Sequence, residues 1–147
     1  KTWDGKQVWG YTINGVDAYE GGEYGFTTIG QGTDVFGQAS ITDTDVTIEV
    51  KLGKTITKAT HSEATTIDIL GNTTTSTSDA AYNYGWTDFQ GQNAYLMQDS
   101  QTTSSQIGSD LYGGSYSTDE TITTQLYDEK TWDGKQVWGY TINGVDA

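Results

Sequence analysis

Between Asp45 and Leu52 the chain reads DVTIEVKL, with Val46, Ile48, Val50 and Leu52 at every second position and Thr47, Glu49 and Lys51 between them. A period of two places the apolar set on one face of an extended strand and the polar set on the other. The alternation returns, less pure, in KTITKAT (Lys54–Thr60, Ile56 inward), TTIDIL (Thr65–Leu70, Ile67 and Ile69 inward) and ETITTQLY (Glu120–Tyr127, with Ile122, Thr124 and Leu126 on one face). Gly53 and Gly71-Asn72 punctuate these runs as turns. The polar tract NTTTSTSD (Asn72–Asp79) suits a surface loop or an exposed strand, and its Asn72-Thr73-Thr74 matches a glycosylation acceptor pattern. Thr and aromatic residues favour pleated, half-buried strands, and helix formers cluster nowhere. A chain of 147 residues has room for one core. The expected fold is all-β: a single-domain antiparallel β-sandwich with Greek-key or jelly-roll-like connections.

A second pattern, aromatic-Gly-aromatic-Thr, occurs at Trp9–Thr12, Tyr24–Thr27, Tyr84–Thr87 and Trp138–Thr141. In a strand the two aromatics share one face, and the Gly leaves space on the other for a bulky neighbour. Cross-strand aromatic packing is one reading. A sugar-binding platform of Tyr84, Trp86, Tyr95 and Tyr112 is the other.

The chain carries twenty acidic residues against seven basic ones, all Lys, for a net charge of −13. Such a surface repels nucleic acid. No apolar run approaches the ~20 residues of a membrane span, so membrane insertion is not expected, and no signal peptide is visible. There is no Cys, which rules out disulfides and thiolate metal sites. His61 is the only imidazole, next to Ser62 and Glu63 in what reads as a solvated loop, so neither a zinc site nor a Ser-His-Asp centre is expected. Among cofactors, calcium is the one candidate. Asp43 and Asp45 alternate in an acidic turn, and Asp128, Glu129 and Asp133 gather near the end of the chain; hard oxygen ligands suit Ca²⁺. Glu20, Glu23, Glu49, Glu63 and Glu120 are the carboxylates from which a glycosidase pair could come, with solvent exposure expected for Glu49. Lys51, Lys54 and Lys58 fall on polar faces or turns, which argues against buried covalent cross-links.

The most informative feature is a duplication. KTWDGKQVWGYTINGVDA stands at Lys1–Ala18 and again, letter for letter, at Lys130–Ala147. Asp4-Gly5, Asn14-Gly15, Asp133-Gly134 and Asn143-Gly144 are tight-turn signals, so each copy holds one strand, Gln7–Ile13 or Gln136–Ile142. The chain therefore divides into a first copy (1–18), a body (19–129) and a second copy (130–147). Two readings explain the identity. The chain is one period of a tandem array plus the opening of the next, or a neighbour's strand has been fused on to complete the fold by strand addition. Tyr127-Asp128-Glu129 runs into Lys130 without a flexible spacer, which favours the array. The assembly strand would be Val8, Trp9, Tyr11 and Ile13 in one copy, and Val137, Trp138, Tyr140 and Ile142 in the other.

In its repeat, its acidic Thr/Gly/Asp-rich composition and its lack of Cys, the chain resembles the repetitive β-domain proteins of microbial surfaces, the adhesin stalks and extracellular fibres. The resemblance implies a cell-surface location and a mechanical or adhesive role, with identical neighbouring units as partners and the terminal strand shared between them. It implies no enzyme. The alternatives are a carbohydrate-binding module with glycan partners, and a glycosidase-like jelly roll.

Overall fold

Each long strand ends where the sequence supplies a residue that can leave the β region. The computed structural model describes the chain except residues 1, 4, 5, 8, 9, 14, 90 and 133; side chains are further left aside at 2, 3, 6, 7, 89, 127–132 and 136–138. Twelve strands are described: β1 (Thr2–Trp3), β2 (Lys6–Gln7), β3 (Gly10–Ile13), β4 (Val16–Tyr19), β5 (Glu23–Thr33), β6 (Ala39–Lys51), β7 (Lys54–Ile67), β8 (Thr73–Phe89), β9 (Gln92–Ser109), β10 (Ser115–Trp132), β11 (Lys135–Ile142) and β12 (Val145–Asp146). Strands β5 to β12 form one eight-stranded antiparallel sheet in chain order, while β1–β2 and β3–β4 are separate hairpins. The all-β, antiparallel expectation is met. Greek-key or jelly-roll connections are not found among the described strands: every neighbour in the sheet is joined by a hairpin, and the sheet is open.

The three turns at one end of the sheet share one design. Asp34, Asp68 and Asp110 each begin a five-residue turn, DVFGQ, DILGN or DLYGG. Each carboxylate accepts two backbone amides, from Phe36 and Gln38 (2.8 and 2.9 Å), Leu70 and Asn72 (2.8 and 2.9 Å), and Tyr112 and Gly114 (2.9 and 2.7 Å). A Gly with φ near +85° closes each turn, at Gly37, Gly71 and Gly113, a conformation that costs Gly little. This corrects the reading of Thr65–Leu70 as a strand. β7 stops at Ile67, and Ile69 lies in the turn, 67 % exposed. At the other end Leu52 and Gly53 both take positive φ, +54° and +69°, so the β6–β7 hairpin turns there and Leu52 leaves the apolar face of its strand.

Register sorts the side chains onto two unlike faces. Ile29–Asp43–Glu63–Thr77–Ser105–Asp119 is one cross-strand row, and Thr27–Asp45–His61–Asp79–Thr103–Thr121 is the next on the same face. We call this the acidic face. The opposite face carries the rows Phe26–Val46–Thr60–Ala80–Thr102–Ile122, Thr28–Thr44–Ser62–Ser78–Ser104–Glu120 and Gly30–Thr42–Ala64–Ser76–Gln106–Thr118. Across these three rows Glu120 is the only charge, and we call this the hydroxyl face. Along β6, residues 39–46 alternate exposed on the acidic face and half-buried on the hydroxyl face. Val46, Ile48 and Val50 share the hydroxyl face as expected, and Ile122, Thr124 and Leu126 do likewise in β10. The tract 72–79 is mostly strand, the start of β8.

The hydrophobic core is small. Ala18, Val50 and Ala80 are its buried apolar members among the described residues, and Val50 is the largest side chain fully enclosed. The accessible surface is 10189 Å², against about 7,400 Å² for a globular monomer of this mass by size scaling. A single sheet keeps both faces in water unless something else covers one of them.

Candidate assembly joint

The two copies of the repeat fold locally in the same way. Thr2 pairs with Gln7 and Trp3 with Lys6 in the first; Thr131 pairs with Gln136 and Trp132 with Lys135 in the second. Thr12–Asp17 and Ile13–Val16 in the β3–β4 hairpin match Thr141–Asp146 and Ile142–Val145 in β11–β12. Tyr11 lies opposite Ala18, and Tyr140 exchanges both backbone hydrogen bonds with Ala147 (3.2 and 2.7 Å). In the second copy Asn143-Gly144 takes positive φ at both positions (+49° and +79°), which is the type I′ geometry that Asn-Gly favours.

The surroundings of the two copies differ. The second copy extends the sheet at the β10 edge, where Thr124 faces Ile142 and Leu126 faces Tyr140. Asn143 clamps this edge: its amide donates to the Thr123 carbonyl (2.8 Å), and its side-chain oxygen accepts the Thr123 amide (2.8 Å). Thr141 adds a bond from its hydroxyl to the Gln125 carbonyl (3.3 Å).

The first copy lies over the hydroxyl face of its own sheet. The Tyr11 hydroxyl donates to the Gly53 carbonyl. The Tyr19 amide donates to the hydroxyl of Tyr24 (3.0 Å), which stands beside Ile48 on that face. Gly10, Tyr11, Val50 and Gly53 line one cavity of about 260 Å³. The segment after β4 then clasps the β6–β7 turn. Gly21 donates to the Val50 carbonyl (2.7 Å), and Val50 donates to that of Gly22 (3.1 Å). The Glu20 carboxylate accepts the amides of Leu52 and Gly53 (2.7 and 3.2 Å).

Of the expected assembly residues, Tyr11, Ile13, Tyr140 and Ile142 take part in these hairpins. Val8 and Trp9 lie outside the described residues, as do the side chains of Val137 and Trp138. No strand occupies the second edge of β3 among the described residues, and that edge is the one that β11 gives to β10 in the other copy. Thr12 and Thr141 show the difference in one atom. With no strand beside it, the Thr12 hydroxyl turns back to Asp17 (3.2 Å), whereas Thr141 reaches Gln125.

The aromatic platform is assembled only in part. Tyr84 and Tyr95 stack at 6.0 Å, Trp86 meets Tyr95 edge-on at 5.4 Å, and the Lys51 ammonium sits 5.5 Å above the Tyr95 ring. Burial pushes the Tyr84 phenol above its usual pKa, with further upward pushes from Tyr82 and Tyr140. Tyr140 of the second copy lies on the same face of the sheet as Tyr82 and Tyr84. Tyr112 does not join it: it sits in an Asp turn at the opposite end of the sheet, 96 % exposed. The expected space behind the motif glycine is real at Gly85, where the Gln98 side chain lies across the position of an added Cβ (3.2 Å). Its amide donates to Thr87 Oγ1 (2.6 Å) and to the carbonyls of Gly85 and Leu96. Behind Gly25 the space is empty.

The acidic candidates are placed differently from expectation. Asp43 and Asp45 lie within β6 rather than in a turn. His61 is in β7, not a loop, flanked across the strands by Asp45 and Asp79, with its Nδ1 2.5 Å from Asp79. Asp133 and the side chains of Asp128 and Glu129 lie outside the described residues. Among the described residues no group of three or more His, Asp or Glu is placed to share a metal ion. Of the candidate glycosidase carboxylates, Glu23 and Glu49 are direct cross-strand partners. Glu49 is paired with Lys58 at 3.7 Å and its side chain is only 14 % exposed, contrary to the expectation of solvent exposure. Comparison with protein-family models, curated proteins and solved structures finds no match.

Proposed function

We propose that this chain is a structural unit of an extracellular, cell-surface fibre or adhesin stalk, in which each unit's sheet is completed by the first hairpin of the next. One observation carries the reading. A single repeated hairpin, folded in the same register twice, makes two sets of contacts, chiefly through its backbone edge in the second copy and through the Tyr11 side chain in the first. In its second copy the open edge of the strand pairs with β10 behind it. In its first copy Tyr11 bonds Gly53 ahead of it, and Tyr19 and Glu20, which follow the repeat directly, hold Tyr24, Leu52 and Gly53. One hairpin can therefore do both jobs at once, and the duplication is the joint seen from its two sides. This is strand addition, in which main-chain hydrogen bonds supply adhesion and alternate side chains fill a receiving surface. The sandwich read from the sequence then belongs to the assembly, with its second layer supplied by a neighbouring unit. The reading uses no cofactor and no catalytic group, and calcium has no part in it. Tyr84, Trp86 and Tyr95 pack on one another, and Trp86 stays 56 % exposed, so in this reading the aromatic group offers an open face to a neighbouring unit.

Removing Lys130–Ala147 tests the proposal. The shortened chain should melt at a lower temperature and bind added KTWDGKQVWGYTINGVDA peptide, with recovery of the melting temperature. Trp138→Asp with Tyr140→Asp in the full chain should reproduce the loss, because charge on the strand's apolar face would have to be desolvated when the joint closes, which is costly. A shortened chain that keeps its stability and ignores the peptide defeats the reading.

A further inference from the structure

Taking the joint described above as the premise, we infer that consecutive units pack hydroxyl face to hydroxyl face, with both acidic faces outward. The direction of one side chain sets the geometry. In the second copy Tyr140 is in line with Ile142, which shares a row with Thr124, Ser100 and Tyr82. That row is on the hydroxyl face of the upstream sheet, and Tyr140 is close enough to Tyr84 to disfavour its ionisation. In the first copy the equivalent Tyr11 faces Gly53 and shares a cavity with Val50, on the hydroxyl face of the downstream sheet. One tyrosine that looks onto both surfaces must lie between them. The two sheets therefore oppose each other through their hydroxyl faces, starting at the hairpin.

Charge and area agree with this arrangement. In water, an antiparallel sheet with one face covered puts its charges on the other. Here Asp43, Asp45, Glu63, Asp79 and Asp119 all project from the acidic face, while the three hydroxyl-face rows hold one charge, Glu120, on the outermost of their six strands. Within one chain, among the described residues, the β3–β4 hairpin covers that face near Val50. The accessible surface of one chain exceeds the globular scaling by roughly 2,800 Å², so two facing chains together have enough to bury the roughly 2,000–5,000 Å² total of an obligate interface. The occupant is the next copy of this chain, because the joint already holds it against the same face.

A chain of two units, residues 1–129 followed by the full sequence, tests the inference. The protein has no Cys, so a single thiol reports one position. Thr44→Cys in the downstream unit probes the hydroxyl face, and Asp43→Cys probes the acidic face of the same strand. Passing from the one-unit to the two-unit chain, thiol labelling at position 44 should slow at least tenfold, while that at position 43 should not change. Equal rates at position 44 in both chains overturn the inference, and so does equal slowing at both positions. Protection at position 44 that is present in the one-unit chain and grows with concentration assigns the face to a non-consecutive copy, and also overturns it. The joint is read separately, from the melting of the two-unit chain. Coupled melting with an unprotected thiol at position 44 rejects only the face-to-face packing, whereas uncoupled melting rejects the joint itself.

Discussion

Tyr11 and Tyr140 hold the same place in the same hairpin, opposite Ala18 and Ala147, yet one bonds the Gly53 carbonyl over the β6–β7 turn while the other pairs with Leu126 on the face that carries Tyr84. Two environments for one residue are what a shared joint requires. A hairpin used once would need only one of them. Among the described residues, the open edge of β3 and the thinly covered hydroxyl face follow from the same arrangement, because a unit that borrows its last strands is not closed alone.

Ile48 stands on the hydroxyl face between Tyr24 and Thr57, half-buried. Full burial would make Ile48→Ala cost ~2–5 kcal/mol. With part of that face uncovered, the expected loss is about 1–2 kcal/mol in chemical unfolding. A loss under about 0.5 kcal/mol, the level of a surface change, would show that this face contributes no core.

Leu52 holds φ +54° with its side chain 54 % exposed. The left-handed region costs an ordinary residue about 1–2 kcal/mol, and Asn tolerates it better. Leu52→Asn should therefore raise stability by about 0.5–1 kcal/mol. The Glu20 carboxylate that accepts the turn amides would be undisturbed. A lower melting temperature would mean that the leucine side chain has a packing role.

Asp68 has its carboxyl held below the usual value, chiefly by the Asn72 side chain and further by the amides of Asn72, Leu70 and Gly71. A depressed folded pKa adds stability that is present above the unfolded value and lost as pH falls through the folded one. Melting temperature should fall in acid below the usual carboxylate range, and Asp68→Ala should lower it at neutral pH and flatten this acid limb. An unchanged acid limb in the variant would remove the turn from the account.

His61 titrates in the opposite sense. The hydrogen bond and charge of Asp79 raise its pKa, with Asp45 and Glu63 adding to the effect. Its contribution is fully present below the unfolded value near 6.5 and is lost as pH rises through the raised folded value. Proton NMR should place the imidazole midpoint above 6.5, and Asp79→Asn should bring it down. A midpoint at or below 6.5 in the parent protein would contradict the Asp45–His61–Asp79 row.

Strand type is legible in the sequence because period two needs only local residues, as Val46, Ile48 and Val50 show. Positive-φ turns at Gly53 and Asn143-Gly144 are legible for the same reason. The Asp turns are harder to see. Their signal is present, as Asp-x-x-Gly at Asp34, Asp68 and Asp110, but Ile69 looks like one more apolar residue of a strand until the carboxylate of Asp68 is seen capping the turn. Layering is hidden because it depends on what covers a face: Thr44, Ser62 and Ser78 suit the interior of a sandwich or an exposed strand equally. The joint is legible as a repeat but not as a geometry, since identical letters cannot say that Tyr11 and Tyr140 look onto different sheets.

The most direct measurement is the unfolding of the two-unit chain against that of the single unit. In a linear array, stability is the sum of unit terms and nearest-neighbour terms. If one hairpin serves both bodies, the two-unit chain unfolds in a single transition at a higher temperature or denaturant midpoint than the single chain. Midpoints that coincide, with the transition only doubled in amplitude, would show that the units are independent and that the repeated segment is merely where one ends and the next begins.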